Sequence, residues 1–344
     1  MRHIRRMGVT TVTAVLVAGT ALAAGSPAQA APSTAATGAS STVATATGAA
    51  GAVRSGREAA DLATGYWTAA RMKAAVSADV LAPASTTAAA AAVPTAKPTT
   101  VPSAGPLKAL RPTAARSADA RALAVNASAT VGKVFFTNPS NGGGYVCSAS
   151  TVNSGSKLLV MTAGHCVHGG RGGQWMQNWI FVPLYNYGSE PYGRWSAKYL
   201  TSFNGWINDS SLDRDVGWVT VWPNGAGQRV VNVVGGNGLS VNYSYEQAIT
   251  ILGYPAEPPY DGGAQWACQG TTYRPGTWPF QENKIALNCG LTGGSSGGPW
   301  LRVYDGSLGA LNGVMSTLNS SGTNKASYFD TAVLDIYNSV ANRV

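Results

Sequence analysis

Gly293-Gly294-Ser295-Ser296-Gly297-Gly298-Pro299 places a serine between glycine pairs, and an apolar, strand-like run begins directly after it at Trp300. A serine hydroxyl is a poor nucleophile at neutral pH. It needs a base to accept its proton and donors to hold the oxyanion that forms on attack. Flanking glycines let the backbone turn sharply and leave N–H groups open to a substrate carbonyl. The loop is therefore a candidate nucleophile site if the chain supplies the remaining groups.

A base is available in few places, because the chain holds only three histidines: His3, His165 and His168. His3 lies in the leader. His165 sits in Met161-Thr162-Ala163-Gly164-His165-Cys166, straight after an apolar run and beside a cysteine that can fix the ring's position. His168 follows in a Gly/Arg loop and reads as an exposed loop residue. A histidine acting on a serine needs a carboxylate to fix its tautomer and stabilise the imidazolium. The acids that precede His165 are Glu58, Asp61, Asp79 and Asp119, all in a segment that reads as unstructured, which excludes an Asp-His-Ser order. No histidine follows Ser296, which excludes the Ser-Asp-His order, although Gly294-Ser295-Ser296-Gly297-Gly298 formally matches GxSxG. The order His-Asp-Ser remains. Its candidates are Glu190, Asp209, Asp213, Asp215, Glu246, Glu257, Asp261 and Glu282. Asp215 opens a strongly apolar run, Val216-Gly217-Trp218-Val219-Thr220-Val221, and is the best placed of them; Asp213 is the fallback.

From residue 131 onward, short runs rich in Val, Ile, Tyr, Trp and Phe alternate with Gly, Asn, Ser and Pro clusters. Strands are predicted at 132–137, 144–152, 157–162, 179–185, 195–201, 216–222, 248–253, 265–271, 284–289, 299–304 and 309–317. No helical period is evident until 331–342, where Val333, Leu334, Ile336, Tyr337 and Val340 form one apolar stripe. Many short strands with one terminal helix predict an all-β sandwich or barrel class. A soft break at the Gly/Asn-rich stretch 224–238 divides barrel one, about 131–223, from barrel two, about 231–330.

The first half has a different texture. Arg2, Arg5 and Arg6 precede an apolar run, and Ala28-Gln29-Ala30 follows, which is the order of a secretory signal peptide over 1–30. Residues 31–121 are rich in Ala, Thr, Ser, Pro and Gly and poor in large apolar side chains, so a largely disordered pro-segment is predicted. Its one island is Tyr66-Trp67-Thr68-Ala69-Ala70-Arg71-Met72-Lys73-Ala74-Ala75, read as a short amphipathic helix with Trp67, Ala70 and Ala74 on one face. Charge follows the same division. Residues 1–121 carry 12 Lys+Arg and 4 Asp+Glu, and residues 122–344 carry 12 and 11, so the net +9 belongs almost wholly to the leader. Nothing in the second half suggests a nucleic-acid partner or an anionic surface. All four cysteines, Cys147, Cys166, Cys268 and Cys289, lie in residues 122–344. An even count in an exported chain reads as two disulfides, with three pairings open, of which the sequential one closes two short loops. No CxxC spacing supports zinc, and no metal or organic cofactor is expected.

Thr162-Ala163-Gly164-His165-Cys166, the Asp215 strand start and Gly294-Ser295-Ser296-Gly297-Gly298-Pro299 together resemble the signatures of the chymotrypsin-like (trypsin-fold) serine endopeptidases. More narrowly, residues 131–340 resemble the secreted bacterial members of the glutamyl-endopeptidase kind, and the island at 67–75 is similar to their pro-segments. The resemblance implies two six-stranded antiparallel β-barrels with a C-terminal α-helix, and a peptidase domain at 122–344. It also implies a Cys147–Cys166 disulfide beside the histidine. Ser296 would be the nucleophile, His165 the general base and then acid, and Asp215 the orienting carboxylate. The N–H groups of Gly294 and Ser296 would form the oxyanion hole, and Gly290, Leu291, Ser316 and Thr317 the specificity pocket. Two positions depart from the family's better-known members. Ser295 stands where a carboxylate pairs with a new N-terminus, so latency is expected to come from the pro-segment covering the cleft. Gly290 stands where an Asp selects Lys/Arg, and no histidine lies near 312–317, so a small or apolar side chain fits the pocket better. The expected activity is a secreted, monomeric serine endopeptidase acting on proteins or peptides, without membrane anchor or nucleic-acid partner. An esterase or amidase on the same triad is the alternative enzyme, and a catalytically inactive protease-fold binding module the alternative of another class.

Overall fold

Residues 40–48, 57–81, 95–107, 127–277 and 281–344 are described by the computed structural model. The signal-peptide expectation and the remainder of the leader fall outside these residues. What is described of the leader is ordered: strand β1 (Ser41–Thr45), helices α1 (Arg57–Tyr66) and α2 (Ala69–Ala74), and the short strands β2 (Val76–Ser77) and β3 (Thr99–Val101). Order is thus present within 40–48, 57–81 and 95–107 of the expected pro-segment, and the rest of the reading of 31–121 lies outside the described residues. These segments lack a core of their own, but they satisfy backbone groups on the edges of a partner sheet: β1 pairs antiparallel with Tyr199–Phe203 and β3 with Leu239–Val241. The expected helix at 66–75 is corrected. Trp67 lies between α1 and α2 and is buried, whereas Ala70 and Ala74 are exposed and Met72 supplies the buried face of α2.

Barrel one is built from β4 (Val131–Thr137), β5 (Gly144–Thr151), β6 (Leu159–Thr162), β7 (Gln177–Pro183), β8 (Trp195–Phe203) and β9 (Gly217–Val221). Their order is β8-β7-β4-β5-β6-β9, and pairing of β8 with β9 closes the ring antiparallel. Val134, Phe136, Val160, Trp179, Phe181, Trp195 and Val219 fill it. These are the inward positions of runs whose β-branched and aromatic residues suit a pleated, half-buried surface. Two short helices that the sequence did not reveal lie here: α3 (Asn204–Asp209) and α4 (Val230–Val234), the latter inside the predicted soft break.

Barrel two follows with β10 (Gly238–Val241), β11 (Ala248–Gly253), β12 (Trp266–Thr271), β13 (Lys284–Asn288), β14 (Pro299–Arg302), β15 (Ala310–Leu318) and β16 (Thr323–Ser327). The path runs β12-β11-β14-β15-β16-β13. Tyr273 and Ala286 exchange backbone hydrogen bonds of 3.0 and 2.9 Å, which joins β13 to the chain leaving β12. The extra strand β10 lies parallel to β15, a pairing outside the antiparallel expectation. Helix α5 (Thr331–Val340) ends the chain with Val333, Ile336, Tyr337 and Val340 buried. Asp330 caps it by accepting from Val333 N and pairs with Arg214 at 2.8 Å.

The barrels are tied together next to the serine loop. Lys133 on β4 is buried and donates to Gly262 O at 2.7 Å; burial lowers its pKa to about 8, against the opposing pull of Asp261. Ser148 on β5 donates from Oγ to Gly294 O at 2.9 Å, and its N–H to Ser296 O at 2.7 Å. Strand β5 of the first barrel thus fixes the glycine-serine loop of the second. Among the described residues no helix is long and apolar enough to cross a membrane.

Candidate active site

Strand β6 ends at Thr162, and the chain turns through a single 3-10 turn, Gly164–Cys166, that presents His165. The turn is held by the Cys147–Cys166 disulfide, whose Cα atoms are 6.3 Å apart. The second bridge is Cys268–Cys289, so the sequential pairing is the one adopted. With both cysteines of the first bridge oxidised, the group Cys147, His165 and Cys166 offers no thiolate to a metal. Gly164 has a steric reason: a Cβ there would stand 2.9 Å from both Asp215 Oδ1 and the Trp206 ring. The close packing of Trp206, from α3, against the His165 turn depends on that missing methyl.

Asp215 is fully buried and receives three hydrogen bonds. The His165 backbone N–H donates to Oδ1 at 2.8 Å, His165 Nδ1 lies 2.9 Å from Oδ2, and Ser316 Oγ donates to Oδ2 at 2.7 Å. Burial alone would raise the Asp215 pKa, but the His165 charge and these three donors outweigh it and hold the carboxyl below its usual value. An ionised carboxylate only accepts, so in the neutral ring Nδ1 carries the proton and Nε2 the lone pair. Nε2 is buried and has no hydrogen-bond partner among the described residues. Burial alone would lower the His165 pKa. The Asp215 charge, the hydrogen bond to it and the charge of Asp79 overcome this and raise it.

The serine loop lies between β13 and β14. Gly294 takes φ +95°, in the left-handed region that favours glycine, and its N–H points out of the loop. Ser295 Oγ donates back into the loop at Thr292 O, 2.7 Å. Ser296 is buried, and its hydroxyl donates to Oδ1 of Asp79, while Gly294 N–H donates to Oδ2 of the same carboxylate at 2.7 Å. Asp79 was set aside at the sequence level as part of an unstructured leader. It stands instead at the centre of the site, carried by a 3-10 turn, Ala78–Leu81, packed against the turn that bears His165.

The four expected pocket residues separate. Ser316 turns inward onto Asp215, and Leu291 packs into the core of barrel two with Ile249, Leu287, Trp300 and Met315, its N–H and C=O both held by the Asn324 side chain. Both side chains are therefore buried. Gly290 and Thr317 remain half-exposed, and Gly290 N donates to Gly322 O at 2.9 Å, so two glycine backbones run side by side there. His168 is buried rather than exposed; its Nδ1 accepts from Gly170 N at 3.1 Å and burial lowers its pKa. The fallback Asp213 lies away from His165, near Lys284 and Arg214, and burial raises its pKa. Ser148 and Trp206 were not found from the sequence; a serine inside a strand and a tryptophan in a polar stretch carry no signal of their own there.

The arrangement can activate a hydroxyl beside an N–H donor aimed at an adjacent anion. Comparison with known proteins gives no match to any family model and none to any curated protein. Solved structures do match. The protease Anisep from Arthrobacter nicotinovorans is 35% identical over 63% of this chain and 97% of its own, with a TM-score of 0.58. A thermostable serine protease, AL20, from an extremophilic microorganism is 32% identical over 63% of this chain and 99% of its own, with a TM-score of 0.59. A Glu endopeptidase at 19% identity and a TM-score of 0.50, over 67% of this chain and 96% of its own, shares the fold.

Proposed function

The chain belongs to the bacterial chymotrypsin-like serine proteases, and from that premise we propose that it is a secreted endopeptidase cleaving peptide bonds with Ser296, His165 and Asp215. The observation that carries this is the convergence of Ser296 Oγ and Gly294 N–H on one anionic group while Asp215 holds the His165 ring through Nδ1. Ser296 Oγ attacks the scissile carbonyl carbon as its proton passes to His165 Nε2. The carbonyl oxygen, now anionic, is taken by the N–H groups of Gly294 and Ser296. The amine leaves with the proton from His165, and water, deprotonated by the same nitrogen, hydrolyses the acyl-serine. Asp215 holds the ring tautomer and stabilises the imidazolium throughout. The absence of an acid at Gly290 and of a histidine near 312–317 supports a preference for a small or apolar residue before the cut. The leader's signal-peptide order and the two disulfides support export to an oxidising compartment.

The test is digestion of a mixed peptide library by the secreted, processed protein, with cleavage sites read by mass spectrometry. The expected result is internal cuts after small or apolar residues, abolished by Ser296→Ala and by a serine-directed phosphonylating reagent. Cleavage retained by Ser296→Ala rejects the assignment. Ester hydrolysis without peptide cleavage would favour the esterase reading.

A further inference from the structure

The leader reaches the active site through a chain of specific contacts. Trp67 is buried against the face of β4 turned away from the barrel-one interior, where its ring lies 5.5 Å from that of Phe135 and its Nε1 donates to Asn178 O at 2.6 Å. Gly144 leaves room for it, since a Cβ there would stand 3.2 Å from the indole. Arg194, paired with Glu190 at 2.6 Å, donates to the carbonyls of both Thr64 and Trp67 and so holds the link between α1 and α2. From that anchor, β2 pairs with Tyr145 and Val146 on β5, directly before the cysteine that tethers the His165 turn. Ala78 is buried, and the next residue is Asp79. Its carboxylate is positioned by its own turn: Ser77 Oγ donates to Oδ2 at 2.7 Å, and Asp79 N donates to Ser77 Oγ at 3.1 Å.

We propose that leader residues 57–81 form a built-in inhibitor of the cleft, with Trp67 as its anchor and the Asp79 carboxylate as the plug that occupies Ser296 Oγ and the Gly294 N–H. The proposal rests on the protease reading and names the regulation of that site. The site's ligand in the latent state is a carboxylate-bearing side chain presented by an anchored peptide. The chemistry explains why such a plug survives in an active site. What meets Ser296 Oγ is a side-chain carboxylate, not a backbone carbonyl, so no scissile amide and no leaving group are offered. The Ser296 proton is engaged by Asp79 rather than by His165 Nε2, which has no partner among the described residues. The Asp79 charge also adds to that of Asp215 in favouring the imidazolium, a form that accepts no proton. One carboxylate thus occupies the oxyanion donor, diverts the nucleophile's hydrogen bond and disfavours the base.

The experiment uses the full chain, checked by mass spectrometry as uncleaved in its leader, and compares wild type with Asp79→Asn, Asp79→Ala and Trp67→Ala. Each is exposed to a small phosphonylating reagent, and labelling of Ser296 is followed in time, with Ser296→Ala as the blank. Circular dichroism and thermal melting confirm that each variant is folded. Asp79 variants are expected to label roughly tenfold to a hundredfold faster than wild type, the factor carried by charged hydrogen bonds to the site. Trp67→Ala tests the anchor without altering the plug, and is expected to accelerate labelling in the same direction. If intact wild type labels as fast as the Asp79 variants, the plug is refuted while the protease reading stands. If neither the intact nor the processed chain labels or cleaves, the protease reading fails and the proposal falls with it.

Discussion

Replacing Ser316 with alanine removes one of three donors from a carboxylate with no access to water. Asp215 Oδ2 would keep only His165 Nδ1 at 2.9 Å, and Oδ1 the His165 N–H at 2.8 Å. A hydrogen bond to a charged, buried group contributes about 1.5–3 kcal/mol, and alanine offers nothing in its place. The fold should therefore lose about that much stability at neutral pH. For a domain of this size that corresponds to a Tm lower by roughly 3–12 °C. The sign of the pH dependence follows from the direction of the Asp215 shift. Its folded pKa lies below its usual value, so the ionised form stabilises the fold above the unfolded pKa, and that contribution is lost as pH falls through the folded pKa. Without Ser316 the folded pKa rises. The difference between wild type and variant is then largest at neutral pH and shrinks as acid protonates Asp215. Denaturant unfolding of the two chains at several pH values measures it. An equal loss of stability at all pH values would mean that Ser316 acts by packing alone. No loss at neutral pH would refute the account of Asp215 as a carboxylate held by three donors.

Two other perturbations test the framework around the histidine. Gly164→Ala places a methyl 2.9 Å from Asp215 Oδ1 and from the Trp206 ring, so it should cost about 1–3 kcal/mol in overpacking and lower kcat/KM on peptide substrates more than KM alone would explain. A variant as stable and active as wild type would show that the turn has slack. Replacing both Cys147 and Cys166 with alanine opens a closure between residues 19 apart, and should lower stability by about 3 kcal/mol in the chain-entropy picture. Its activity should fall further than that of the corresponding Cys268/Cys289 variant, because only the first bridge holds the histidine turn.

The sequence made the barrel strands and the motif residues legible, and it failed where a residue's role depends on a neighbour far along the chain. Strands such as β4 and β9 were plain because their own side chains, Val134, Phe135 and Phe136 or Trp218 and Val219, must be buried. Strand β16, Thr-Asn-Lys-Ala-Ser, has no such pattern and exists because β13 and β15 pair with it on both sides. The Ser316 contact with Asp215 was not legible for a local reason. The register shifts between Met315 and Thr317, so simple alternation no longer says which way Ser316 faces, and it faces Asp215. Leu291 sits at a position whose backbone borders the serine loop, but Asn324 grips that backbone and turns the side chain into the core.

The leader is the largest departure, and its cause is general. Counting apolar residues asks whether a segment can bury enough surface by itself to offset its ordering entropy, and residues 31–121 cannot. The described parts of the leader do not need to. Strands β1 and β3 add to sheets already formed, so each hydrogen bond orders one new strand rather than two. Trp67 and Met72 supply two large apolar side chains to a core that exists without them. The partners of Asp79 are revealed only by the folded barrels, because Gly294 and Ser296 lie more than two hundred residues away along the chain. The unstructured reading of the leader sets Asp79 aside as the histidine's carboxylate, and in the structure it is Asp215 that meets His165 Nδ1. The same reading said nothing about the other place where an anion fits, the Gly294 N–H. The donor that the proposed mechanism assigns to a developing oxyanion here holds a fixed carboxylate from the leader.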